Sequence, residues 1–113
     1  MTTHKLAEAL SWKLLVAGED RTVSCGYCGD LLSWVMGRAP KDSAWITVMS
    51  NINVAAVAVL CDVACVVFAQ GSQPDATLRE RAQTEGLTLL ATEEDAYTAA
   101  VRLQQVFGTE PTV

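Results

Sequence analysis

Histidine is nearly absent from this chain: His4 is the only one. A nucleophile–histidine–acid site would have to be anchored near the N-terminus, where nothing is placed to complete it. Basic residues are also scarce. Eight Lys and Arg against 13 Asp and Glu leave a net charge of −5, and such a surface repels nucleic-acid phosphates and anionic membranes alike. Long apolar runs are lacking too. The most apolar stretch, Val54–Ala69, is interrupted by Asp62 and is shorter than the roughly 20 residues a spanning helix needs. The first ten residues hold His4, Lys5 and Glu8 without an apolar core, so no signal peptide is read there. No phosphate loop or dinucleotide glycine pattern follows a candidate strand. Gly26-x-x-Gly29 is too weak a signature, and Asp30 would repel a phosphate at the next helix start. These absences predict a cytoplasmic protein with no cofactor, no resident metal, no catalytic residue, and neither nucleic acid nor membrane as partner.

What is present is apolar and regular. Half of the 113 residues are hydrophobic, enough for one domain with a core that needs no disulfides. Short β-branched runs predict strands at Lys13–Ala17, Thr22–Gly26, Ala44–Val48, Cys65–Phe68 and Leu87–Ala91. The first two strands are expected to be joined by a turn at Gly18–Asp20. Helices are predicted at Leu6–Leu10, Asp30–Met36 and Asn53–Cys61. Another is capped by Asp75 and ended by Gly86, with Leu78 and Ala82 inward. A last helix follows Thr92 and Asp95, read as a capping box, with Glu93 and Glu94 suiting its dipole. Its buried stripe is Ala96, Ala100, Leu103 and Phe107, and Gly108 closes it. Strands alternating with helices imply a three-layer α/β/α domain around a mostly parallel sheet of about five strands. Residues 1–108 form that domain, and 109–113 are expected to be a loose tail.

Val54–Leu60, Val63–Val67, Gly71, Pro74, Glu85-Gly86-Leu87 and Glu94-Asp95-Ala96-Tyr97 follow the order helix, strand, Gly, Pro, helix, strand, helix. In this the stretch Ala44–Leu103 resembles the DRTGG domain family, whose fold is related to the N-terminal domain of HPr kinase/phosphorylase. The block Gly26-Tyr27-Cys28-Gly29-Asp30-Leu31-Leu32-Ser33 is similar to a stand-alone branch of that family. The resemblance implies a regulatory role, since such domains occur alone or beside CBS domains, inorganic pyrophosphatases and phosphate acetyltransferases. The family's Asp-Arg falls here on Ser50 and Asn51, and its Thr-Gly-Gly on Ala69, Gln70 and Gly71, so only Gly71 is kept. No catalytic residue is implied by the resemblance.

Four cysteines offer rival chemistries. Cys25 and Cys28, read at a strand-to-helix junction, have the spacing of a thiol redox pair, in which a helix N-terminus favours thiolate. A proline facing the pair is missing, and two half-buried thiols in a tight turn are the plainer reading. With Cys61 and Cys65 they could nominally supply four thiolates to zinc. Cys61 and Cys65, however, border apolar segments, where free cysteine packs as a small hydrophobe.

The strand ends carry the more general expectation, because ligands of open parallel sheets bind at carboxyl ends. Those ends offer Tyr27, Asp30, Ser50, Asn51, Asn53, Gln70, Gly71 and Thr92. They suit a small polar or phosphorylated ligand, unless their side chains merely cap helices. The helix Asn53–Cys61 is apolar all round. Helical spacing places Val57 and Leu60 on one face, expected to meet the sheet, and Ala55 and Ala58 opposite. Val54, Ala55, Ala58 and Val59 are therefore expected to line a homodimer interface, the N-terminal helix being the alternative cover. The sequence thus predicts a non-catalytic regulatory or small-ligand-sensing module acting as a homodimer. A thiol redox protein or sensor using Cys25 and Cys28, and a purely structural dimerisation module, are the alternatives.

Overall fold

The computed structural model describes residues 1–109. Helix α1 (Thr3–Leu10) begins where the Thr2 hydroxyl accepts from the Lys5 N–H, and ends at Ser11 in the left-handed region. Strands β1 (Lys13–Val16) and β2 (Cys25–Cys28) follow, then α2 (Leu32–Arg38), β3 (Ser43–Thr47) and α3 (Asn53–Cys61). The chain continues through β4 (Cys65–Phe68), α4 (Ala76–Glu85), β5 (Thr88–Ala91) and α5 (Ala96–Thr109). Asp75 caps α4 through the Leu78 N–H, and Gly86 closes it, as the sequence predicts. The expected tail begins on Thr109, the last residue of α5, and its remainder lies outside the described residues.

The sheet order is β1-β5-β4-β3-β2, with β2 to β5 parallel and β1 antiparallel to β5. Every residue of β3, β4 and β5 is buried, which is why these segments read as continuous apolar runs. One face packs Val35, Val54 and Leu78 of α2, α3 and α4 against Trp45, Val66 and Leu89. The other packs Leu6 of α1 and Ala99 and Leu103 of α5 against Ile46, Val67 and Leu90. The predicted three-layer α/β/α class is the fold observed.

Three expectations need correction. First, β1 and β2 are not neighbours joined by a turn; they form opposite edges of the sheet. Residues 17–24 cross below the strands' amino ends, pinned where Arg21 binds Asp42, Asp62 and the Val63 carbonyl. Second, β2 lies three residues later than Thr22 because its register is set by pairing Cys25 with Ser43 and Cys28 with Ile46. Thr22 itself makes only an isolated bridge to Thr2. Third, α3 is rotated: Val57 faces inward as expected, but Leu60 does not. Val54, Ala55, Val57 and Ala58 face inward, between α2 and α4, while Leu60 is 67% exposed. The alanines serve close packing within the chain, so Val54, Ala55 and Ala58 cannot line a seam with a second copy; of the four expected interface residues, only Val59 is exposed.

Candidate functional site

The carboxyl ends of β2 to β5 form one rim, and its loops are tied to each other by backbone bonds. The Asp75 N–H donates to the Ser50 carbonyl at 3.1 Å, Gln70 to Glu94 at 2.8 Å, and Gly71 to Thr92 at 3.0 Å. Gln70 and Gly71 both lie at positive φ, 57° and 71°. A Cβ on Gly71 would come 2.6 Å from Glu93 Oε2. The positive φ favours glycine there, and any larger residue would have to push the Glu93 carboxylate aside.

The residues expected at the rim divide into groups. Asp30 accepts from the Thr47 hydroxyl at 2.7 Å and the Val48 N–H at 2.9 Å, so its carboxylate braces the β2 and β3 ends. Tyr27 is half-buried on β2 and packs against the core under α2 to α4. Asn51 Oδ1 accepts from the Asn53 N–H at 3.0 Å, a local turn at the start of α3. Gln70, Gly71 and Thr92 are brought together by the bonds above. Thr92 alone of the expected residues lines the large cleft at this end of the sheet.

That cleft, about 510 Å³, lies beside the β5 end, between the end of α1, the start of β1 and the first turns of α5. Its floor is Glu94. Trp12 Nε1 donates to Glu94 Oε1 at 2.7 Å and the Thr92 hydroxyl to the same oxygen at 3.0 Å. Arg102 donates to Oε2 at 2.7 Å and, with its other amino group, to the Leu10 carbonyl at 3.0 Å. Thr92 also accepts from the Glu94 N–H, so the expected Thr92–Asp95 capping box is not formed; Asp95 caps α5 by itself through Thr98. Lys13, Gln73 and Glu93 stand around the opening. Sequence reasoning missed Trp12, Lys13, Gln73 and Arg102, and read Glu93 and Glu94 only as dipole partners. The contacts that make the floor join Trp12 to Glu94 across 82 residues, a separation no local pattern reveals.

Burial alone would raise the Glu94 pKa, but the bonds from Arg102, Trp12 and Thr92 outweigh it and hold the carboxyl below its ordinary value of 4.5. A depressed folded pKa means stability that is present above the unfolded value and lost as pH falls through the folded one. Chemical denaturation of wild type and Glu94→Gln should therefore differ most near neutrality. The gap should narrow as pH drops below about 4.5; a gap independent of pH would contradict the assignment.

Cys25 and Cys28 are not placed to form an intrachain disulfide. Cys25 and Cys28 begin and end the extended strand β2 rather than flanking a turn. At ~3.3 Å per residue their Cα atoms lie about 10 Å apart, beyond the ~7 Å limit for a disulfide. Burial, then the Asp30 carboxylate, push the Cys28 thiol up, away from reactive thiolate. Cys61 points its sulfur at the carbonyls of Val35 and Met36, and Cys65 is fully buried with its pKa pushed up to about 12. Mild oxidation should give no intrachain Cys25–Cys28 disulfide by peptide mass mapping; finding one in quantity would contradict the strand geometry. Among the described residues no cluster of three His, Cys, Asp or Glu side chains is placed to hold a metal ion. No helix there is long and apolar enough to cross a membrane.

A family model described as the DRTGG domain matches residues 5–106. Among solved structures, the chain is similar to the CBS and DRTGG domains of the regulatory region of Clostridium perfringens pyrophosphatase, complexed with the activator diadenosine tetraphosphate. That likeness has a TM-score of 0.69 at 17% identity and covers 90% of this chain and 45% of the other. This chain thus corresponds to less than half of that regulatory region. No curated protein sequence matches it.

Proposed function

Because the chain belongs to the DRTGG domain family, we propose that it is a non-catalytic regulatory module that senses a small ligand and acts as a homodimer. The observation that carries this reading is the concave, polar cleft at the carboxyl rim, whose floor carboxylate is already fully engaged. Glu94 is saturated by three donors. His4 is turned away, its Nε2 against the Gly18 carbonyl. A volume of about 510 Å³ falls within the ~300–1,000 Å³ of small-molecule sites. The similar regulatory region of a pyrophosphatase was captured with a dinucleoside polyphosphate activator. That precedent makes nucleotides one class to test, and other small polar or phosphorylated metabolites further ones. The four free thiols suit a reducing cytoplasm.

The homodimer rests on the outer face of α2 and α3. Trp34, Met36, Val59 and Leu60 are 58%, 50%, 43% and 67% exposed. Arg38 is the only charged residue on these two helices, and it lies over the Trp34 ring at 4.1 Å. The neighbouring α4, by contrast, turns Glu80, Arg81 and Glu85 outward. One helix of the layer is built for water and the other two for contact.

A thermal-shift screen of nucleotides, phosphorylated metabolites and amino acids tests the sensing role. At least one class should raise the melting temperature in proportion to the logarithm of its concentration and be recovered unchanged. Turnover of the stabilising compound by the purified chain would overturn the non-catalytic reading.

A further inference from the structure

The charges around the cleft fall into two kinds. Arg102 and Glu94 neutralise one another, and both are engaged with Trp12, Thr92 and the Leu10 carbonyl. They form a rigid floor with no net charge. Lys13 and Glu93 are different: both line the same cleft, both are exposed, and neither has an ion-pair partner among the described residues. They do not reach each other, since no Lys13–Glu93 pair falls within 4.0 Å. One unpaired ammonium and one unpaired carboxylate therefore stand over a neutral polar floor, with the Gln73 amide and the Ser11 hydroxyl beside them.

The Glu93 carboxylate packs on the backbone of Gly71, where any Cβ would displace it. Gly71 is held at positive φ, and its N–H donates to the Thr92 carbonyl at 3.0 Å. The glycine thus leaves room for the carboxylate where it stands beside the cleft.

We propose that this cleft binds a small zwitterion, its ammonium on Glu93 and its carboxylate on Lys13, with a polar body over the Trp12–Glu94–Arg102 floor. This rests on the ligand-sensing reading above and adds the class of ligand. A polyanion is disfavoured because Glu93 and Glu94 balance Lys13 and Arg102, leaving the cleft no excess positive charge, and because the chain carries a net charge of −5. A simple cation would leave Lys13 unanswered, and a simple anion would leave Glu93 so. A zwitterion satisfies both at once, which is how complementary charges confer selectivity.

The test is titration of the nitrogen-15-labelled chain with individual L-α-amino acids. Their N-acetyl and α-amide derivatives serve as probes with one charge removed, and ATP and diadenosine tetraphosphate as anionic probes. At least one amino acid should shift the Trp12 indole N–H and the Thr92 and Glu93 amides saturably in the millimolar range or below. Lys13→Gln, Glu93→Gln and either derivative should each weaken that binding by about tenfold or more. Gly71→Ala should weaken amino-acid binding while leaving the Trp12 indole resonance of the free protein in place. Saturable nucleotide binding with no response to any amino acid would overturn the zwitterion while keeping the sensing role. Amino-acid binding that both Lys13→Gln and Glu93→Gln leave intact would overturn the assignment to this cleft. Silence towards every probe would count against the zwitterion and the sensing role together.

Discussion

Changing Leu60 to glutamate should turn a dimeric chain into a folded monomer, whereas changing Ala58 to glutamate should unfold it. The two residues are neighbours on α3 with opposite surroundings: Leu60 is 67% exposed and Ala58 only 1%. Trp34, Met36, Val59 and Leu60 together expose on the order of 400 Å² of apolar surface, taking roughly 150–250 Å² per large side chain. That is about half of the ~800 Å² each partner contributes to a standard interface. The small Ser33, Gly37 and Ala56 between and beside them let two helix pairs approach closely. A two-fold contact would set Leu60 near its own copy, where paired glutamates repel with little water between them. At position 58 the same charge enters the core between α3 and its neighbours, at a cost of several kcal/mol. Sedimentation equilibrium with circular dichroism separates the outcomes. A native chain that stays monomeric at high micromolar concentration, or a Leu60→Glu variant that stays dimeric, contradicts the interface.

Gly18→Ala should cost about 1–3 kcal/mol, the range for overpacking, and fall at its upper end because the atoms it meets are backbone. The crossing segment 17–24 passes Gly86 closely enough that the Glu19 N–H donates to its carbonyl at 2.8 Å. A Cβ on Gly18 would stand against the Gly86 carbonyl oxygen, 2.6 Å from its carbon and 2.5 Å from that of Leu87. Both are backbone, at the junction of α4 with β5. Urea denaturation should show a lower midpoint with an unchanged slope. A midpoint equal to that of the native chain would mean that the crossing can shift without loss.

The elements that were legible in the sequence are those with local causes. The Asp75 cap, the Gly86 stop and the buried runs of β4 and β5 each announce themselves within a few residues, and the structure places them there. The rotation of α3 was not legible, because a helix apolar on every side carries no directional signal. Its orientation is decided by α2 and α4 packing on its two flanks. The start of β2 was missed for a similar reason: β-branched Thr22 and Val23 suggested a strand, but parallel register with β3 begins only at Cys25. The rim itself follows from the alternation of strands and helices. The cleft beside it does not, since Trp12, Glu94 and Arg102 meet only once the antiparallel β1 has docked against β5. The glycine of the family pattern was found in the sequence; its reason, a positive φ of 71°, belongs to the structure.

The central claim is that this DRTGG domain binds a small ligand at its carboxyl rim without transforming it. The most direct measurement is chemical-shift mapping of the full chain against a library of nucleotides, phosphorylated metabolites and amino acids, with the ligand signals followed in the same sample. The account predicts saturable shifts centred on Trp12, Thr92, Glu93 and Glu94, with ligand resonances unchanged in number and intensity over hours. Saturable shifts centred elsewhere on the surface, no saturable shifts at all, or steady conversion of a bound compound would contradict it.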